Sequence, residues 1–221
     1  MQERMRCDML ADMIEGIAIV GILVMSIVLH EVAHGWMANA LGDPTARLAG
    51  RLSANPVSHI DPIGSILIPG FLYLTQAGFM FGWAKPVPYN PHLIRAPFGL
   101  QHKWAEALVA FAGPGMNIVL ALTFALLIRV VPAPSLVALF TIPIYVNILL
   151  AFFNLIPFPP LDGSKILSAF LPRRAAYSYD RAMRRVESYG MFASLLFIFV
   201  FVTFFSVPFF RFVTMIVAAL T

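Results

Sequence analysis

The chain has 221 residues, 60% of them hydrophobic and only 12% charged, with a formal net charge of +4. Ordinary soluble domains carry roughly 45–50% apolar and about 25% charged residues. The composition therefore excludes a water-soluble fold and points to an integral membrane protein. The basic residues gather in loops between apolar runs, which suits membrane orientation and excludes nucleic acid as a partner. The single cysteine, Cys7, excludes an internal disulfide.

Residues 13–41 read as the first span, stopped by Gly42-Asp43-Pro44. The apolar stretch before His30 covers about 21 Å at 1.5 Å per residue. His30, Glu31 and His34 thus lie toward the far end of a hydrocarbon core about 30 Å thick. The same run followed by "ANA" imitates a cleaved leader. Its flank carries Glu3, Asp8, Asp12 and Glu15 against Arg4 and Arg6, the wrong sign for one, and cleavage would discard both histidines.

Residues 45–61 are moderately polar, with room for a short strand. Residues 62–84 are apolar but interrupted by Pro69, Gly70, Gly78 and Gly82. Further spans are expected at 105–131, 135–156 and 190–207, with 208–221 interfacial or a further span. Charge decides whether 62–84 crosses. One loop carries Arg47, Arg51, Lys85, Arg95 and Lys103, and another carries Lys165, Arg173, Arg174, Arg181, Arg184 and Arg185. Both face the cytoplasm only if 62–84 enters and leaves on one side. The expectation is one all-α membrane domain over 1–221. It has four to five transmembrane helices and a re-entrant hairpin on the cytoplasmic side. Non-helical backbone at that depth must be buried in protein or line a wet recess.

Residues 30–34 read His-Glu-Val-Ala-His. Positions four apart share a helix face, so both imidazoles can hold one ion, and Glu31 beside them can act as general base. Zinc lowers the pKa of a bound water to about 7. Ionisable groups inside a span are rare and functional by default. A catalytic zinc takes three protein ligands and keeps one open position. The candidates for the third are His59, His92, His102, Asp61, Glu106, Asp162 and Glu187. Asp162 is best placed, because the prolines of "NLIPFPPLDG" stop the preceding span near membrane depth.

Four segments together resemble the site-2 proteases, intramembrane zinc metalloproteases, in their small bacterial form without an inserted PDZ domain. They are "HEVAH" at 30–34, "NPVSHIDPIGS" at 55–65, "GPGMN" at 113–117 and "NLIPFPPLDG" at 154–163. The resemblance implies zinc held by His30, His34 and Asp162, Glu31 as the base, and a re-entrant β-hairpin after the first motif. It implies transmembrane proteins or peptides as substrates, cut near the cytoplasmic face of a bacterial inner membrane. A substrate helix must unwind before cleavage, and a hairpin edge would pair with it by strand addition.

Asn117 and Asn154 have two readings each: a contact to substrate or to the oxyanion, or a structural hydrogen bond. For Asn147 the structural reading is favoured. His59 and Asp61 are expected to fix loops, and 173–187 to lie against anionic headgroups. A rival reading is a membrane zinc transporter or metal sensor. That would be expected to show paired sites in two related halves, whereas this sequence has one site and no internal repeat.

Overall fold

A computed structural model of the chain describes residues 2–68, 71, 74–75, 84–96, 99, 101–131 and 134–221. The long helices are α1 (Gln2–Ala40), α3 (His102–Val130) and α4 (Pro134–Asn154). A short α2 (Thr45–Leu48) follows α1. After α4 come α5 (Asp162–Phe170), α6 (Arg173–Ser188), α7 (Met191–Val200) and α8 (Ser206–Leu220). Three stretches are long and apolar enough to cross a membrane: Ile17–Ala40, His102–Val130 and Met191–Leu220. Leu139–Asn154 is a shorter apolar helix.

Helix α3 is central, packing on α1, α4 and α5. Its buried positions are mostly small and recur every four residues: Ala105, Val109, Gly113, Asn117, Ala121 and Ala125. In lipid no hydrophobic force drives helices together, so close approach over small residues and interhelical hydrogen bonds must do it. Farther along, Ala121, Ala125 and Ile128 meet Ile144 and Ile148 of α4 and Val213 and Val217 of α8 in one buried cluster.

One expectation is corrected. Residues 62–84 do not begin as a strand. Pro62–Leu67 is a π-helical turn, because Asp61 accepts from the N–H groups of Ile63 and Gly64 and Pro62 sits at its start. The described residues contain no strand, so the β-hairpin finds no support; residues 69–70, 72–73 and 76–83 lie outside the described residues. The expected span at 190–207 and the segment 208–221, left as interfacial or a further span, are joined in one helical stretch, Met191–Leu220. Helix α7 continues through a π-helical turn at Phe201–Phe205 into α8. Pro208 lacks an N–H and crowds the carbonyl four residues earlier, and the widened turn immediately before it accommodates that loss.

The loops are lashed to the end of α1. Asp43 is fully buried and accepts from Thr45 N, Thr45 Oγ1 and Asn90 N. Arg95 N donates to Leu41 O and Lys85 N to His59 O. His59 is 2% exposed and contacts Ser53 O through Nε2, so it fixes a loop as expected. These bonds hold the stretch 84–95 as a strap across α1.

Candidate metal centre

His30 and His34 lie one turn apart on α1, with ring centroids 4.7 Å apart and planes at 83°. Each ring is held through Nδ1. His30 Nδ1 lies 2.5 Å from Asn117 Oδ1, and His34 Nδ1 lies 2.7 Å from Val109 O. Both partners can only accept at those atoms, so each Nδ1 carries a proton and each Nε2 presents a bare lone pair. Pro114 lies within the same stretch of α3; a proline there removes one intrahelical bond and bends the helix.

Asp162 arrives from α5. Oδ2 lies 3.2 Å from His30 Nε2 and 3.3 Å from His34 Nε2, and the two Nε2 atoms are 3.1 Å apart. Three lone pairs converge on one point, which is unfavourable without a cation between them. Tetrahedral coordination with bonds of about 2.0–2.1 Å separates its ligands by about 3.3 Å. The three donor atoms therefore match one face of a zinc tetrahedron and leave the fourth corner open. These three residues form the one such donor group found among the described residues.

Two glycines permit this convergence. A Cβ on Gly113 would press on the Nε2 atoms of both histidines. A Cβ on Gly163 would overlap the backbone of Leu155 and Ile156, where the start of α5 crosses the end of α4. The glycines of "GPGMN" and "PLDG" thus bring α3 against the rings and turn Asp162 toward them.

Glu31 projects beside the triangle, and its Oε2 accepts from Val87 N at 3.0 Å. Val87 sits between Pro86 and Pro88, neither of which has an N–H, so this is the sole backbone donor of residues 86–88. The strap is secured by Arg51, whose Nη2 donates to Lys85 O at 2.8 Å. No sequence pattern announces a backbone donor to a carboxylate 56 residues away, and this contact was not foreseen.

This geometry agrees with the comparisons. The model of peptidase family M50 matches residues 18–134 and 130–201. The chain belongs to peptidase family M50. It is 37% identical over 82% of its length to "Putative zinc metalloprotease YwhC" of Bacillus subtilis (strain 168), covering 78% of that protein. It is 30% identical over 73% of its length to "Putative zinc metalloprotease Rip2" of Mycolicibacterium smegmatis, covering 62% of that one. No solved structure matches the chain.

The other candidates lie apart from the triangle. Glu106 pairs with His102 at 3.0 Å, His92 is exposed, and Asp61 caps a helical turn. Glu187 lines a separate polar hollow of about 210 Å³ with Lys103 and Lys165. Asn154 is half-buried at the end of α4, its Nδ2 bonded to Leu150 O. Asn117 is fully buried, with Oδ1 on His30 and Nδ2 on Asn147 Oδ1 and Ser26 O. That leaves it no amide group to offer a substrate.

Proposed function

We propose that this M50 protein is an intramembrane zinc metalloprotease that hydrolyses peptide bonds in or near transmembrane segments of other proteins. The observation that carries the reading is the Nε2–Nε2–Oδ2 triangle of His30, His34 and Asp162, with Glu31 at its side. A zinc ion held there supplies Lewis-acid activation of a water molecule and of the scissile carbonyl. The Val87 N–H anchors one oxygen of Glu31 and leaves Oε1 to take the proton from the attacking water. The same carboxyl then delivers it to the departing amine. His30 and His34 hold their rings fixed through Asn117 and Val109 throughout. We assign Asn117 to holding His30 rather than to contacting substrate; Asn154 stays a candidate substrate contact at the end of α4.

The site lies within the bilayer's thickness, near the face that carries the basic loops. Met191–Leu220 and the other apolar helices place the protein in a membrane, and the charge asymmetry favours the cytoplasmic face of a bacterial cell membrane. Metal analysis and cleavage of transmembrane peptides by purified protein test the function. Wild type should hold one zinc per chain and cleave. Glu31→Gln should hold the same zinc with cleavage reduced at least 100-fold, in line with general-base contributions of about 10²–10⁴. Cleavage by Glu31→Gln at the wild-type rate would remove Glu31 from the chemistry.

A further inference from the structure

We propose that Ser26, Asn147 and Asn117 form a relay that fixes the tautomer of His30, so that metal affinity is set in part from a helix that carries no ligand. The proposal rests on the zinc reading above. All four side chains are buried: His30 is 6% exposed, Ser26 4%, Asn147 1% and Asn117 0%. They join α1, α3 and α4 where water is scarce, so each group must find its partner in the protein.

The logic of the relay begins at a group with no choice. The carbonyl of Pro143 can only accept, and Asn147 Nδ2 donates to it at 2.9 Å and to Ser26 Oγ at 3.0 Å. That orients the Asn147 amide and turns its Oδ1 toward Asn117. Asn117 Nδ2 then donates to Asn147 Oδ1 at 2.8 Å. The other end of the Asn117 amide, Oδ1, is thereby left facing His30 Nδ1 at 2.5 Å. An acceptor at Nδ1 keeps the proton there and leaves Nε2 bare for the ion. A reversed Asn117 amide would offer an N–H to Nδ1 and favour the tautomer with Nε2 protonated, which cannot bind metal. Asn147 touches no ligand, yet through the shorter of the two bonds to Asn117 Nδ2, 2.8 Å against 3.4 Å to Ser26 O, it helps to set which tautomer is stable. Asn117 and Asn147 are therefore positioning residues.

The test is zinc affinity by chelator competition on purified, folded protein, for wild type, Asn117→Leu, Asn117→Asp, Asn147→Leu and the double variant Asn117→Asp/Asn147→Leu. Loss of a partner of this kind costs about 10–100-fold in metal affinity. Asn117→Leu should lose that much, and Asn147→Leu about tenfold. Asn117→Asp keeps an acceptor on His30 Nδ1 whichever oxygen faces it, but sets its other oxygen against the acceptor Asn147 Oδ1, a repulsion that the double variant removes. A carboxylate has no wrong end, so Asn147→Leu should cost little in the Asn117→Asp background. A merely structural Asn147 would cost the same in both backgrounds, and that result, or wild-type affinity in Asn147→Leu, would overturn the proposal. Wild type without zinc, or undiminished binding by His30→Ala, would instead overturn the metal reading itself.

Discussion

At the scale of single residues, the centre depends as much on missing atoms as on present ones. Gly113 leaves room for both imidazoles, and the atoms that would have to yield to an added Cβ are the Nε2 donors themselves. Gly113→Ala should keep the helices but push the rings off their triangle. Zinc affinity should fall at least tenfold, about 1.4 kcal/mol, and cleavage should fall with it. Unchanged metal content and activity in a folded Gly113→Ala protein would contradict this crowding. The three donors that the structure brings together were legible in the sequence. "HEVAH" places two donors on one face by helical spacing alone, and Asp162 follows the prolines that end a span. The partners of the imidazoles were less legible. A backbone carbonyl such as Val109 O has no signature, and Asn117 advertises a polar contact without saying to what.

At the scale of elements, the strap 84–95 is the piece that local sequence explained least. It is irregular, its fastening comes from far along the chain, and the prolines at 86, 88 and 91 rule out only a regular helix over 85–91. Asp43 is its main anchor. Burial pushes the Asp43 carboxyl up, but hydrogen bonds from the Thr45 hydroxyl, Asn90 N–H and Thr45 N–H outweigh this and hold it below its ordinary value. Because the folded value is the depressed one, the stabilisation is fully present above the unfolded value near pH 4 and is lost as pH falls through the folded value. The strap should therefore stay fastened from pH 5 upward and loosen only in stronger acid. Asp43→Asn, which cannot accept in the same way, should show at pH 7 the faster hydrogen exchange over residues 84–95 that wild type shows only below about pH 4. Equal protection of that stretch in both proteins at pH 7 would discount the anchor. The spans were easier to read, since long apolar runs leave little alternative. One reading misled. The placement of charge suggested a hairpin at 62–84, whereas Asp61 and Pro62 start a helical turn. Pro208 sits within a helix, and the π-helical turn before it takes up its missing N–H.

At the scale of the whole molecule, Met191–Leu220 is a continuous helical stretch of 30 residues, about 45 Å long at 1.5 Å per residue. That exceeds a core of about 30 Å, so it is long enough to cross once with length to spare. The first twenty residues suffice to span, which brings Arg211 to the far boundary. Helix α6 ends immediately before this crossing, with Arg173, Arg174, Arg181, Arg184 and Arg185 all exposed. With Cys7 replaced by serine, single cysteines at positions 92 and 188 should react with an impermeant maleimide from one face. A cysteine at 221 should react from the other. Labelling of 92 and 188 from opposite faces would mean that only one of α3 and α4 crosses, and a cysteine at the exposed position 54 labelled from the face opposite 92 would mean that 62–84 crosses after all. The donor triangle has its own consequence at this scale. Two corners ride on the first long helix and the third on a short helix past the middle of the chain, with the central helix wedged between. An ion seated there is a rivet through the early and late halves of the polypeptide. Drawing it out would release the short helix that carries Asp162 while the packing of the central helix on the first still held, so the enzyme would be disarmed well before it unfolded.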